Sequence, residues 1–204
     1  MRREIEVAST LAVALAVLGS AGCTFDAEGL RWAPDAAPEG AGGCPEGKTL
    51  CSGSCVDTTS DSANCGTCRH ACPATEGCAK SMCRRYVWTG DIVKDYKSGL
   101  VWQRGVSPEK YVWEKAGTYC TGLSIGGLSS GWRLPAVGEL LGILDHSRLN
   151  PSIDTEAFPG TPLEWFWTST PYAGDSGDAW YVSFDNGNSI NINTTYPGWV
   201  RCVR

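Results

Sequence analysis

Three blocks anchor the C-terminal part of this chain: Trp132-Arg133-Leu134-Pro135, Phe166-Trp167-Thr168-Ser169-Thr170 and Trp199-Val200-Arg201-Cys202-Val203-Arg204. Nearly all of the nine tryptophans fall in this region, and tryptophan side chains are predicted to lie in a core by default. The blocks therefore predict that residues 84–204 form the principal folded domain. The segments before it are predicted to deliver, tether and support that domain outside the cell.

Length, cysteine count and charge set the broad class of the protein. The chain has 204 residues, room for one or two domains, and its eleven cysteines point to an oxidising compartment. The formal net charge is only −5, and no segment carries the basic stripe that nucleic acid requires. A nucleic-acid partner is therefore not expected.

Residues 1–22 have the pattern of a secretory signal peptide. Arg2 and Arg3 precede an apolar run over residues 7–18, which is too short to span a bilayer. Small residues then lead into Cys23, and this junction resembles a bacterial lipobox, in which the cysteine is lipidated. The resemblance implies a protein that is exported and anchored by its N-terminal lipid to the bacterial envelope, at the outer membrane or cell surface.

Cysteine arithmetic agrees with lipidation, because removing Cys23 leaves ten cysteines, an even number. Ordinary cleavage after Ala21 is the alternative, and it leaves a spare thiol. Residues 23–43 are mostly Ala, Gly, Pro and acidic residues, with three large apolar side chains to bury. Such a segment cannot repay its ordering entropy, so it is predicted to be a flexible tether.

Residues 44–83 are predicted to form a small disulfide-rich module. Large apolar side chains are almost missing from this segment, so covalent cross-links must hold it together. Its eight cysteines permit 105 pairings, and the sequence does not select one. Zinc held by Cys65, Cys68 and His70 is the rival interpretation. The eight are Cys44, Cys51, Cys55, Cys65, Cys68, Cys72, Cys78 and Cys83.

The run Cys51-Ser-Gly-Ser-Cys55-Val-Asp-Thr, followed by Asp61, Asn64, Cys65-Gly66 and Cys68, resembles the stigma-specific (Stig-type) cysteine-rich repeat. The resemblance covers the whole module and implies an extracellular spacer or interaction module without known chemistry. We expect it to act as a stiff stalk.

Hydrophobic periodicity predicts an α+β fold for residues 84–204. Trp113, Ala116, Cys120 and Leu123 recur at helical spacing, and a second helix is indicated by Val137, Leu140, Leu141 and Leu144. Short antiparallel strands are predicted at residues 86–89, 92–95, 99–104, 165–169, 180–184, 190–192 and 199–203, with a hairpin turn at Asn186-Gly187. Cys120 and Cys202 are the only cysteines in this domain, so they are predicted to pair.

Several ordered motifs over residues 91–204 resemble the Lcl-type family, which is typified by the C-terminal domain of a collagen-like bacterial adhesin. The resemblance implies a C-type-lectin-like fold and surface exposure and, in the adhesin, trimer formation and binding of sulfated glycans. The motifs are Gly99-Leu-Val-Trp-Gln-Arg104, Trp113-Glu114, Tyr119-Cys120, Trp132-Arg-Leu-Pro135, Glu139-Leu140, Asn150-Pro151, Ala157-Phe158-Pro159, Trp167-Thr-Ser-Thr170, Ala179-Trp180 and Arg201-Cys-Val-Arg204.

Catalytic residues are not predicted. The chain has two histidines, and His146 is flanked by Asp145 and Ser147, whose side chains point in different directions from one helix end. Arg133 and Glu139 are expected to form a structural ion pair that fixes the second helix on the sheet.

The candidate ligand-binding residues lie on loops and combine aromatic rings with short oxygen-bearing side chains. Such groups suit sugar hydroxyls or Ca²⁺, although Asp and Asn are also ordinary turn residues. No cofactor is otherwise expected. The candidates are Trp165, Tyr172, Asp175, Asp178, Asp185, Asn186 and Asn188.

The leading hypothesis is a non-enzymatic surface lipoprotein whose C-terminal domain binds a glycan or a surface protein in adhesion or recognition. The alternative is a structural component of the cell envelope, in which the domain self-associates or forms a subunit interface.

Overall fold

A computed structural model describes residues 43–204 of the chain. The predicted signal peptide, Cys23 and the rest of the tether before Gly43 lie outside the described residues. Within residues 43–204, no helix is both long and apolar enough to cross a membrane.

The described residues form four small antiparallel sheets and two short helices. The cysteine-rich module contributes two hairpins, β1–β2 and β3–β4. The strands are β1 Thr49–Cys51, β2 Ser54–Val56, β3 Gly77–Ala79, β4 Met82–Arg84, β5 Tyr86–Thr89, β6 Ile92–Asp95, β7 Val101–Gln103, β8 Trp165–Pro171, β9 Asp178–Ser183 and β10 Ser189–Asn193. One three-stranded sheet has the order β5-β6-β7, and the other has the order β10-β9-β8.

The predicted α+β, C-type-lectin-like fold is wrong, because small antiparallel sheets dominate the described residues and both helices are short. Helix α1 spans Trp113–Thr121, nine residues, and helix α2 spans Val137–Leu141, five residues. Glycine is a poor helix former, and α2 contains Gly138 and ends at Gly142. Leu144 is nevertheless 9% exposed. The turn that follows α2 buries this leucine as well as a longer helix would. The spacing of the leucines therefore predicted a longer helix than the one present.

The C-terminal block Trp199–Arg204 joins the two three-stranded sheets. At one end, Trp199 runs parallel to β8, with its N–H donating to the Trp165 carbonyl at 3.1 Å. At the other end, Val101 and Arg204 exchange backbone hydrogen bonds of 2.9 and 2.8 Å beside β7. The block pairs through these isolated bridges rather than as the regular closing strand that was predicted.

The β8–β9–β10 sheet is covered on both faces. Side chains alternate along each strand, so Phe166 and Val182 enter one cluster while Trp167 and Tyr181 enter the other. The disulfide between Cys120 and Cys202 is present, and it lies in the second cluster. It staples α1 to the C-terminal block, as the cysteine count predicted.

The module contains the four disulfides Cys44–Cys55, Cys51–Cys68, Cys65–Cys78 and Cys72–Cys83. Cys65 and Cys68 therefore belong to different bridges, and the His70 Nδ1 lies 2.6 Å from the Cys65 carbonyl oxygen. The geometry is that of a disulfide framework rather than of the zinc knuckle considered above.

Residues 44–204 form one compact unit, in which the module packs against the rest of the chain. Gly77 of β3 lies against the Tyr96 ring and the Val87 side chain, with no room for a Cβ atom. The Glu156 carboxylate also connects the module to the rest of the unit. It forms salt bridges with Lys80, at 2.7 Å, and with Arg84.

Candidate functional site

The candidate loop residues separate into two groups at opposite ends of the β8–β9–β10 sheet. Tyr172 and Asp175 lie in the turn between β8 and β9, and Asp178 begins β9. Asp185, Asn186 and Asn188 lie in the turn between β9 and β10, where Trp165 also lies because it pairs with Ser183. Six residues of β9 separate the turns by roughly 20 Å, so the candidates do not form a single site.

The two aspartates of the first group accept hydrogen bonds from neighbouring residues of the protein. The Asp175 carboxylate accepts from the Gly177 N–H at 2.8 Å, and Asp178 accepts from the Asn191 side-chain amide at 2.8 Å. The Tyr172 ring meets Trp180 edge to face, with centroids 5.6 Å apart. These contacts are typical of a stable hairpin end.

The second group is held mainly by hydrogen bonds of its backbone. The Asn186 Oδ1 accepts from the Asn188 N–H at 3.1 Å, and the Asp185 carbonyl accepts from the Asn150 N–H at 3.2 Å. The Trp165 ring stacks on Tyr181 with centroids 6.1 Å apart. This turn is held against the 150–152 segment.

The carboxylates of these turns do not converge on an ion position. Within residues 43–204, the one set of three or more His, Cys, Asp or Glu ligand atoms lying within 4.8 Å of each other is Cys65, Cys72 and Cys83. Their sulfurs belong to disulfides. The described turns therefore offer no ready Ca²⁺ cage.

Arg133 and Glu139 form a two-pronged ion pair, with N···O distances of 2.7 and 2.6 Å. Glu139 also accepts from the Ala136 N–H at 2.7 Å, which caps the start of α2. Hydrogen bonds from Arg133 hold the pKa of the Glu139 carboxyl below its ordinary value. The pair thus ties the Trp132–Pro135 block to α2, although the Arg133 side chain remains 46% exposed.

Asp145, His146 and Ser147 do not form a relay. The Asp145 carboxylate accepts from the Ser147 hydroxyl at 2.5 Å and from Arg148 Nε at 2.8 Å. His146 instead lines a cleft of about 440 Å³ between the module and the rest of the unit. The cations of that cleft are committed elsewhere, since Arg84 pairs with Glu156 and Arg85 pairs with Asp95.

Two further grooves flank helix α1, and neither is lined by a residue that the sequence predicted to bind a ligand. One, of about 370 Å³, is lined by Val112, Trp113, Glu114, Thr194 and Thr195. The other, of about 340 Å³, is lined by Tyr111, Lys115, Thr118, Tyr119, Gly122, Leu123 and Ser124. The available signal was the outward position of Glu114 and Lys115 on a helix that contains Tyr119 and follows Tyr111.

Two protein-family models match this chain. The model of the Lcl C-terminal domain matches residues 91–204, more than half of the chain. The chain belongs to the Lcl C-terminal domain family. The model of the stigma-specific STIG1-like protein family matches residues 36–86, which include the disulfide module. No curated protein matches the chain.

The Lcl C-terminal domain includes β6, β7, both helices and the β8–β9–β10 sheet. Both grooves beside α1 lie entirely within it. The cleft that His146 lines does not lie entirely within it. Glu76 and Cys83 also line that cleft, and they come from the segment that matches the STIG1-like family. Both grooves are therefore concave features that belong to the Lcl C-terminal domain alone.

Proposed function

We propose that this protein is a surface lipoprotein that displays its Lcl C-terminal domain for adhesion, with a glycan as the ligand. The observation that carries the proposal is the family match over residues 91–204. The family resemblance implies a surface-exposed, adhesin-type role, and the domain provides open grooves rather than a closed reaction chamber.

The covalent framework supports a role outside the cell. All ten cysteines of residues 43–204 are used in five disulfides. Such cross-linking persists in oxidising environments, and four of the five bridges hold the module, which has few large apolar side chains to bury. In this proposal the signal peptide 1–22 directs export and is removed, and the lipidated Cys23 holds the unit at the membrane.

A non-enzymatic role is supported by how the charged side chains are used. Arg85 and Asp95 pair with each other, and Asp145 holds its own turn through Ser147 and Arg148. Asp145 thus holds its own turn and does not orient His146, as a catalytic relay would require. Recognition by surface contacts is the simpler use of the same architecture.

An array of neutral and sulfated glycans, probed with the purified full chain with and without a chelator, tests the proposal. We expect chelator-independent binding to at least one glycan class, because the described turns hold no carboxylate cage. The reduced and alkylated chain is the matched control, and it should lose binding as its disulfides open. Failure of the native chain to bind any glycan contradicts the proposal.

A further inference from the structure

We propose that the groove formed by Tyr111, Lys115, Thr118, Tyr119 and Gly122, here called the tyrosine groove, binds a neutral pyranose ring of a glycan. The inference rests on the proposed glycan-binding function and assigns it a place. The groove measures about 340 Å³, within the range of roughly 300–1,000 Å³ that small-ligand sites occupy. Leu123 and Ser124 complete its lining.

Two aromatic rings line the groove, and each has one face against the other ring and one outer face. Tyr111 and Tyr119 are stacked with centroids 5.3 Å apart and planes inclined by 21°. Both side chains are only partly buried, so the pair remains accessible from the groove. The face of a pyranose ring presents C–H groups, which pack well on the electron-rich face of an aromatic ring.

The Tyr119 ring and the Tyr111 backbone are held in place before any ligand arrives. The Tyr119 hydroxyl accepts from the Gln103 side-chain amide at 2.8 Å, and the Gln103 oxygen accepts from the Cys202 N–H at 3.2 Å. Tyr111 exchanges backbone hydrogen bonds with Gly198, at 2.8 and 2.9 Å. Preorganisation of this kind reduces the ordering cost of binding.

Polar groups stand at the edge of the same surface. Thr118 donates its hydroxyl to the Glu114 carbonyl at 3.2 Å, which leaves the oxygen able to accept from a sugar hydroxyl. Lys115 is exposed and forms no salt bridge within residues 43–204, so its ammonium group can donate to a ligand oxygen. Ser124 adds a further hydroxyl.

The charges around the groove favour a neutral ligand over a polyanion. Lys115 is the one charged residue that lines the groove, and over residues 109–124 the two lysines are offset by Glu109 and Glu114. Lys110 is already paired with Glu164. A sulfated chain needs several free cations to replace its counterions, whereas a neutral sugar needs ring faces and hydroxyl partners.

Gly122 allows the groove to be filled without disturbing the fold. Its φ is −88°, which any residue adopts, and a Cβ atom there meets only the carbonyl oxygens of Thr118 and Tyr119, at 3.5 and 3.8 Å. Gly122→Gln therefore inserts a side chain into the groove. Gly138→Gln is the matched control, because Gly138 lies in α2, away from the groove, with nothing within 4 Å of an added Cβ.

The test measures binding of the full chain to neutral oligosaccharides (cellobiose, maltose, lactose and diacetylchitobiose) and to heparin by calorimetry. Wild type and Gly138→Gln should bind a neutral oligosaccharide, and Gly122→Gln should weaken that binding by about tenfold or more. Lys115→Ala, an exposed change that leaves the rings untouched, should weaken the same interaction. Tyr172→Ala, in the turn between β8 and β9, should leave it unchanged.

The outcomes separate the inference from the proposed function. Equal affinity of Gly122→Gln and wild type for a neutral sugar overturns the groove assignment while leaving glycan binding intact. Binding to heparin alone also overturns it, since the ligand class is then different. Failure of the wild type to bind any of these probes removes the proposed glycan-binding function and the groove assignment together.

Discussion

The Nη2 of Arg201 donates a hydrogen bond to the Thr161 hydroxyl at 2.9 Å, where Arg201 is fully buried and Thr161 is 8% exposed. No carboxylate in the described chain pairs with this guanidinium, and its Nη1 lacks a hydrogen-bond partner. Phe158, Phe166 and Phe184 surround it, with ring centroids 4.9 to 5.6 Å from its central carbon. Burial lowers the pKa of Arg201 to about 9, which leaves it charged at neutral pH.

The free energy of unfolding should depend on the Arg201–Thr161 bond through the buried charge. Thr161→Val removes an acceptor from a buried cation and should cost about 1–3 kcal/mol. Arg201→Met removes the charge and keeps an adaptable apolar chain among the rings, so it should remain within about 1 kcal/mol of wild type. Urea unfolding measures both variants. A double-mutant cycle is the control, because Thr161→Val should cost less when residue 201 is Met.

The Cys120–Cys202 disulfide should be a major source of stability for the Lcl C-terminal domain. It joins residues separated by 82 positions, and both cysteines are fully buried. Replacing both with alanine should cost about 4–5 kcal/mol on the chain-entropy model. Tryptophan fluorescence during denaturation reports this loss. The control is the same pair of changes at Cys72 and Cys83, which should leave the fluorescence transition much closer to wild type; equal shifts contradict the prediction.

Asp95 should contribute stability that is lost in acid. Burial opposes its ionisation, but hydrogen bonds from Arg85 and Ser98 outweigh that effect and hold the pKa of Asp95 below its ordinary value. Its stabilising effect is therefore present above about pH 4 and disappears as the pH falls through the folded-state value. Asp95→Asn should cost about 3–5 kcal/mol at pH 7, because Arg85 loses its partner. Urea unfolding at pH 7, 5 and 3 should show this difference shrinking at pH 3, and a constant difference would be evidence against it.

Packing rather than charge should fix the module against the rest of the unit. Glu156 is 44% exposed in its pairs with Lys80 and Arg84, so Glu156→Gln should cost less than about 1 kcal/mol. Gly77→Val should cost more, roughly 1–3 kcal/mol, because an added Cβ approaches the Val87 side chain to 2.8 Å. Hydrogen exchange across β3 and β5 should rise in Gly77→Val and stay near wild type in Glu156→Gln. The reverse order would show that the ion pairs hold the junction.

Local sequence patterns predicted the strands better than the helices. Alternation over Trp180, Val182 and Phe184 correctly indicated β9, because a strand displays its pattern over a few neighbouring residues. The leucine spacing that predicted a longer second helix was misleading, since burial of Leu144 by a turn produces the same spacing. The loop candidates do not form one site, and the sequence could not show this. Residues that suit a turn, such as Asp175 and Asn186, have the same chemistry as residues that suit a ligand.

The sequence by itself determined the family and the Cys120–Cys202 pair, because a family match and a two-cysteine count need no coordinates. Only the tertiary structure decided which of the eight module cysteines pair and how the three blocks meet. It also decided that Tyr111, Tyr119 and Gly122 share a groove. The groove depends on contacts of Tyr111 with Gly198 and of Gln103 with Cys202, and these residues are distant in the chain until α1 packs beside the C-terminal block.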